Sequence, residues 1–276
     1  MLKDIIVNLT VDAANDVAAD YAISVGRTFE AHLAGISFAY EPVIPGSVFG
    51  SMAVELIQTQ RAEFERAARK AIAHFEDAAR RVNLAAESRL QTASLAEAAG
   101  MFGALARRFD LSVVAQAEPN KLPGRELIIE AALFESGRPV LVVPYIQRDG
   151  LKLDHVTVCW DGSRNAARAV ADAIPIIGSS GRVEVVIVTN ERGKEDEIEG
   201  ADIGQHLARH GLKVDVHRIS GGDIDVADAL LSHAADSGAD FMVMGGYGHS
   251  RLREFILGGV TRSIFESMTV PVLMSH

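Results

Sequence analysis

The strongest constraint on this chain is that it states one pattern twice. An apolar run, an aspartate and an alanine-rich stretch of helical period occur in "DIIVNLTVDAANDVAADYAI" near the start. They recur in "DHVTVCWDGSRNAARAVADAI" past the middle, which sets Asp12 beside Asp161. Further on, "RRFDLSVVAQAE" parallels "DSGADFMVMGGYG", and "GRPVLVVPY" parallels "TVPVLMSH". An internal repeat means that one supersecondary solution is used twice, so both copies must be read as the same kind of unit.

Within each copy, short β-rich apolar runs alternate with stretches whose apolar positions recur every three or four residues. The first copy predicts strands at Ile5–Leu9, Leu33–Phe38, weakly at Ser88–Thr92, Leu111–Ala115 and Val140–Val143. It also carries a long amphipathic helix, "ELIQTQRAEFERAARKAIAHFEDAARRV", from Glu55 to Val82. The second predicts strands at Val156–Trp160, Val183–Thr189, Lys213–Ile219, Phe241–Met244 and Val272–Met274, with helices near 165–177, 202–210 and 223–237 and one after Gly259. Strands separated by helices form right-handed βαβ units around a parallel sheet covered on both faces. The expected fold class is α/β: two tandem open, parallel five-stranded αβα sandwich domains of Rossmann-like type. The Pro-, Gly- and charge-containing "PYIQRDGLKLD", Pro144 to Asp154, reads as the linker between domains 1–146 and 152–276. The two terminal strands are short and apolar and would leave hazardous sheet edges. The simplest cover is each other, an intramolecular pairing of the two domains.

Composition narrows the partners. A formal net charge of -10 argues against a general nucleic-acid surface, which draws its affinity from lysine and arginine on phosphates. No apolar run reaches the length of a membrane span, and the N-terminus meets acidic residues too early for a secretory signal, so no membrane and a cytoplasmic location are expected. The lone Cys159 lies in the apolar "HVTVCW" and reads as a buried small hydrophobe. The acidic "NERGKEDEIEGAD" reads as a solvated loop. No metal-spaced His/Cys cluster and no nucleophile elbow is present, so no catalytic residue is assigned.

The chemistry concentrates in "MGGYGHSRLREFILGGVTRS", Met244 to Ser263. Gly245, Gly246 and Gly248 follow an apolar strand, and Gly258 and Gly259 precede a helical segment. Glycine suits a backbone that must approach a ligand, and a helix start offers free amides to an anion without a lysine. In an open α/β sheet a ligand lies beyond the carboxyl ends of the strands, where strand order reverses. Asp161 and the glycine loop meet in one crevice if their strands are neighbours there. Asp161 and Ser163 also qualify as helix N-caps, as does Asp12 in the first copy.

Gly245, Gly248 and Gly258 match the Gly-x2-Gly-x9-Gly motif, and with "WDGSRNAARA" and "VPVLMSH" the second copy resembles the universal stress protein family in its ATP-binding branch. The resemblance implies an adenine nucleotide alpha hydrolase-like fold with pseudo-twofold related copies. It implies an ATP site in which Asp161 faces the adenosine, Val188 lines the adenine pocket and Met244 and Gly245 close beside the ribose. Gly248, Gly258, Gly259, Val260 and Thr261 would contact phosphate, with His249 nearby and Mg²⁺ accompanying the phosphates with help from Asp161. Gly259 departs from the pattern, which has a hydroxyl or amide side chain there. Single-copy relatives pair through their last strands, and further association through the long helix would give a homodimer. The implied function is a sensor or regulatory module with at most slow ATPase activity. The alternative is a tandem structural or protein-interaction module without nucleotide; an adenylyl transferase lacks a visible second-substrate site. Aligning Asp110 with Asp240 puts Ala115 opposite Gly245 and Glu118 opposite Gly248, a carboxylate where a phosphate would lie, so the first copy is not expected to bind nucleotide by this route.

Overall fold

The structure is a computed structural model that describes residues 2–11, 16–41, 51–118, 124–189, 197–222, 224–246 and 259–276, with only the backbone course given for 51–54 and 197–201. The chain divides into two compact units, Leu2–Arg138 and Pro139–His276.

In the first unit, strands β1 (Asp4–Asn8), β2 (His32–Tyr40), β3 (Ala86–Ala93) and β4 (Leu111–Ala115) alternate with helices α1 (Val17–Phe29), α2 (Ser51–Arg81), α3 (Leu95–Ala106) and α4 (Arg125–Glu135). β1 pairs with β2 and β4, and β2 pairs with β3, all parallel. β4 is buried at every residue, as a strand covered on both faces must be. β3 alternates between half-buried and exposed positions, which explains its weak signal as a strand. α2 lies against β2, where buried Phe75 fills the space that a side chain at Gly35 would need: an added Cβ would come within 2.7 Å of its ring. Burying a side chain of that size contributes about 1.5–3 kcal/mol.

The second unit begins with β5 (Val140–Val143) and continues through β6 (His155–Cys159), α5 (Arg164–Ile177), β7 (Arg182–Thr189), α6 (Glu197–Arg209), β8 (Val214–Ser220), α7 (Val226–Ser237), β9 (Phe241–Gly245), α8 (Gly259–Ser267) and β10 (Val272–Ser275). Its strand order is β5-β10-β9-β6-β7-β8. Every pair is parallel except β5 with β10, which run antiparallel with Leu273 opposite Leu141. That pairing groups β5 with the second half, so the compact units divide between Arg138 and Pro139, ahead of the 144–154 segment. Both units are therefore built on the expected parallel α/β plan. Among the described residues no helix is long and apolar enough to cross a membrane.

A matched pair of aspartates fixes how the copies correspond. Asp110 Oδ2 accepts from the amides of Lys3 and Asp4 at 2.8 and 3.1 Å; Asp240 Oδ2 accepts from those of Asp154 and His155 at 2.9 and 3.2 Å. Each carboxylate closes the start of the sheet, and the two contacts equate Asp4 with His155. Twelve positions then separate Asp4 from the α1 N-cap Asp16, against eight from His155 to the α5 N-cap Ser163. The pairing of Asp12 with Asp161 is thus corrected: the β1–α1 connection is longer, and Asp161 corresponds to Thr10. The α1 cap is Asp16, whose Oδ1 accepts from Ala19 N at 3.1 Å; Asp12 lies outside the described residues. α7 is capped by Asp225, whose side chain accepts from Ala227 N.

Candidate functional site

β6 lies between β7 and β9, so chain leaving its carboxyl end faces the reversal of strand order at which open α/β sheets bind ligands. The turn out of β6 is built by three residues. Gly162 adopts a left-handed φ of 72°, Asp161 Oδ1 accepts from Ser163 N at 3.0 Å, and Ser163 Oγ accepts from Ala166 N at 3.1 Å. Ser163 is therefore the helix cap, and Asp161 shapes the turn before it while its side chain stays exposed at the sheet's carboxyl edge.

The same edge receives β9. Met244 is buried and Gly245 half-buried, and a Cβ at Gly245 would lie 2.5 Å from Ala166 N and 2.6 Å from Asn165 C. The first turn of α5 thus presses directly on the strand, and this intramolecular contact already requires glycine. Two residues that the sequence did not single out complete the joint. Asn165, 5% exposed, donates from Nδ2 to Gly246 O at 2.6 Å; His276 Nδ1 lies 3.1 Å from the same oxygen and 3.1 Å from Asn165 Nδ2; and Gly246 N donates to Ser275 O at 2.8 Å. The available signal was a carboxamide on the apolar face of an alanine-rich helix, which must find partners when buried.

α8 opens at Gly259, which is exposed and has open space where a Cβ would stand; Val260 is half-buried and Thr261 is 3% exposed in the first turn. Its leading amides are those a helix leaves without intrahelical partners. Val188 is half-buried near the end of β7. Gly248, His249 and Gly258 lie outside the described residues. At the end of β6, burial pushes the Cys159 thiol up to about 12, with the Asp161 carboxylate adding to the effect, so it packs as a hydrophobe. Trp160 donates its backbone N–H to Val186 O at 2.9 Å, and its enclosed Nε1 has no hydrogen-bond partner among the described residues.

The first unit closes its corresponding edge differently. Glu118 Oε1 lies 3.1 Å from Arg125 Nη1, both side chains mostly buried, at the start of α4. Gly124, at a φ of 109°, caps that helix and donates to Glu126 Oε2 at 3.3 Å. Tyr40, at the end of β2, has its hydroxyl pushed upward by burial, an effect Arg125 opposes. An arginine and a helix start that would suit an anion are thus met by carboxylates of the chain itself.

Comparison with known proteins follows the same division. The universal stress protein family model matches residues 152–276. Universal stress protein Slr1230 from Synechocystis sp. is 26% identical over 141 residues, a match covering 49% of this chain and 46% of that protein, about half the length of each. Among solved structures, a universal stress protein from Archaeoglobus fulgidus DSM 4304 is 18% identical, with 99% of this chain and 97% of that one covered at a TM-score of 0.70. A functionally unknown protein from Pseudomonas aeruginosa PAO1 is 15% identical, with 99% and 92% covered at a TM-score of 0.61. At these identities the structural likeness is one of fold. Residues 152–276 are thus similar to the universal stress protein family, and the fold of the chain is one that a solved universal stress protein shares.

Proposed function

We propose that the second unit binds an adenine nucleotide, ATP, and serves as a sensor or regulatory module with little or no hydrolysis. The observation that supports this most is the pairing of β6 with β9 at the reversal of strand order, which brings Asp161 and Gly245 to one carboxyl edge. The described residues fit the ligand. An exposed carboxylate at Asp161 suits the adenosine hydroxyls, and apolar Val188 and Met244 suit the adenine ring. The first amides of α8, from Gly259 to Thr261, suit a phosphate chain. By resemblance, Gly248, His249 and Gly258 belong to the same site. Mg²⁺ would accompany the phosphates and neutralise their charge, with Asp161 as the carboxylate at hand. An intramolecular pairing of the two copies through their last strands, and a homodimer through α2, belong to the same proposal. A cytoplasmic setting completes the proposal.

One observation favours a second reading. Gly245 is required by α5 whatever the crevice holds, and Gly259 brings no side-chain hydroxyl, so a tandem interaction module without nucleotide would keep both. Heat extraction of the purified full chain, followed by mass spectrometry and by calorimetry with ATP and Mg²⁺, separates the two. Released adenine nucleotide or saturable ATP binding supports the first reading. Neither nucleotide in the extract nor heat of binding overturns it in favour of the second.

A further inference from the structure

Glu184 is an acid in the middle of "RVEVVIV", on a strand whose neighbouring valines are buried, and it is only 2% exposed. A parallel strand covered on both faces should be apolar throughout, and an isolated buried carboxylate is costly enough to demand partners. It has them from four elements. His233 Nε2 of α7 lies 3.0 Å from Oε2, His155 Nε2 of β6 lies 3.2 Å from the same oxygen, and His217 Nε2 of β8 lies 3.2 Å from Oε1. Arg182 of β7 reaches Oε1 at 3.8 Å while its Nε donates to Asp215 Oδ2 of β8 at 3.0 Å. Register places these side chains on one face, because Glu184 lies opposite Thr157 and Asp215, and His155 opposite Arg182. α6 packs on the other face, where Gly204 meets Val216. The imidazoles surround the carboxylate, and no such group among the described residues is placed to hold a metal ion.

His155 reveals the proton count. Its Nδ1 lies 3.0 Å from the carbonyl oxygen of Ser237, which can only accept, so Nδ1 carries a hydrogen. In a neutral ring Nε2 would then turn a lone pair toward the Glu184 carboxylate 3.2 Å away. That nitrogen is buried and has no hydrogen-bond partner among the described residues. One added proton turns this repulsion into an ion pair. With that proton, Glu184 and His155 balance, as do Arg182 and Asp215. Near His155 also lies Asp240, whose carboxyl burial pushes up, with the Asp154 carboxylate adding to it, despite the amides of Asp154 and His155 and the His155 imidazole beside it. Further protons on His233 and His217, whose ring centres are 6.1 Å apart, would set two like charges against each other beside an imidazolium already paired with Glu184.

We propose that this cluster is a proton-responsive latch fastening α7 to the sheet of the second unit. It holds while one imidazolium balances Glu184, and it loosens on acidification as His217 and His233 take up protons. His217 is half exposed and so within reach of solvent protons, while His233 is the link that ties the helix to β7. α7 also packs against α8, the helix that opens at Gly259. The latch does not depend on nucleotide and its test needs none.

The test is amide hydrogen exchange of the full chain, corrected for intrinsic rates, between about pH 8 and about pH 5, the range in which imidazoles change charge. Protection of α7 amides should fall by about tenfold or more on acidification while α5 amides hold, a local rather than global opening. In His233→Gln and Glu184→Gln that fall should shrink to about twofold or less. Should Glu184→Gln fail to fold, His217→Gln alters a half-exposed ring and should reduce the fall. α7 protection that tracks α5 at every pH, or an undiminished fall in the folded variants, would overturn the proposal.

Discussion

Replacing Gly245 with alanine distinguishes a glycine retained for packing from one retained for a ligand. The residue is outside the left-handed region, so alanine meets no backbone strain there. Its methyl would instead stand 2.5 Å from Ala166 N and 2.6 Å from Asn165 C, backbone atoms that no rotamer change can move. Carbon atoms rest at about 3.5–4.0 Å, so α5 and β9 must part by roughly 1 Å. Overpacking of this kind costs about 1–3 kcal/mol. The same displacement strains the 2.6 Å bond from Asn165 Nδ2 to Gly246 O, and a hydrogen bond contributes about 0.5–1.5 kcal/mol. Gly245→Ala should therefore destabilise the ligand-free second unit by about 2–4 kcal/mol. Urea unfolding followed by Trp160, the single tryptophan, in the second unit just past β6, should show a midpoint lowered by about 1–2 M. An unchanged midpoint accompanied by lost ATP binding would refute the packing argument and return the glycine to the ligand.

Gly259 has open space around it, so Gly259→Ser should leave stability nearly unchanged and tighten ATP binding about tenfold or more in calorimetry, by supplying the missing hydroxyl. Unaltered affinity would count against phosphate at the start of α8. Asp16, buried as the α1 cap, has its carboxyl pushed up to about 6 by burial, which outweighs the amides of Thr10 and Ala19 and the Thr10 hydroxyl that favour its charge. Because the folded value is the higher, the folded chain binds this proton more tightly. The stabilisation is complete below the ordinary value of 3.8 and is lost as pH rises through about 6. It amounts to roughly 3 kcal/mol, so urea stability should decline less between about pH 4 and about pH 7 in Asp16→Asn than in the unaltered chain; parallel declines would refute the assignment. Cys159 should resist a thiol reagent in the native chain and react once unfolded; native labelling at the rate of a free thiol would contradict its burial.

The repeat and its alternating periods were legible because they are local. β4 and β5 fall on the residues their apolar runs mark, since a strand buried on both faces writes its limits as an unbroken run. β3 was faint because its positions alternate between half-buried and exposed. The neighbouring of Asp161's strand with Gly245's strand was stated as a condition and depends on sheet order, which no single segment encodes. The register of Asp12 with Asp161 failed because the first copy offers two aspartates, Asp12 and Asp16, before its helix, and a longer connection leaves no periodic trace. The acid at 184 is visible as a break in an apolar strand, but its partners at 155, 217 and 233 belong to three other elements.

By itself, the sequence determined the class of each element and the twofold use of one α/β plan. These follow from side-chain period, which acts within a few residues. Only the tertiary structure decided that Gly245 answers to α5, that Asn165 and His276 hold the exit of β9, and that one buried carboxylate is shared by three imidazoles. Steric exclusion and charge compensation act between surfaces that meet after folding, and residues far apart in the chain carry no mark of each other until they do.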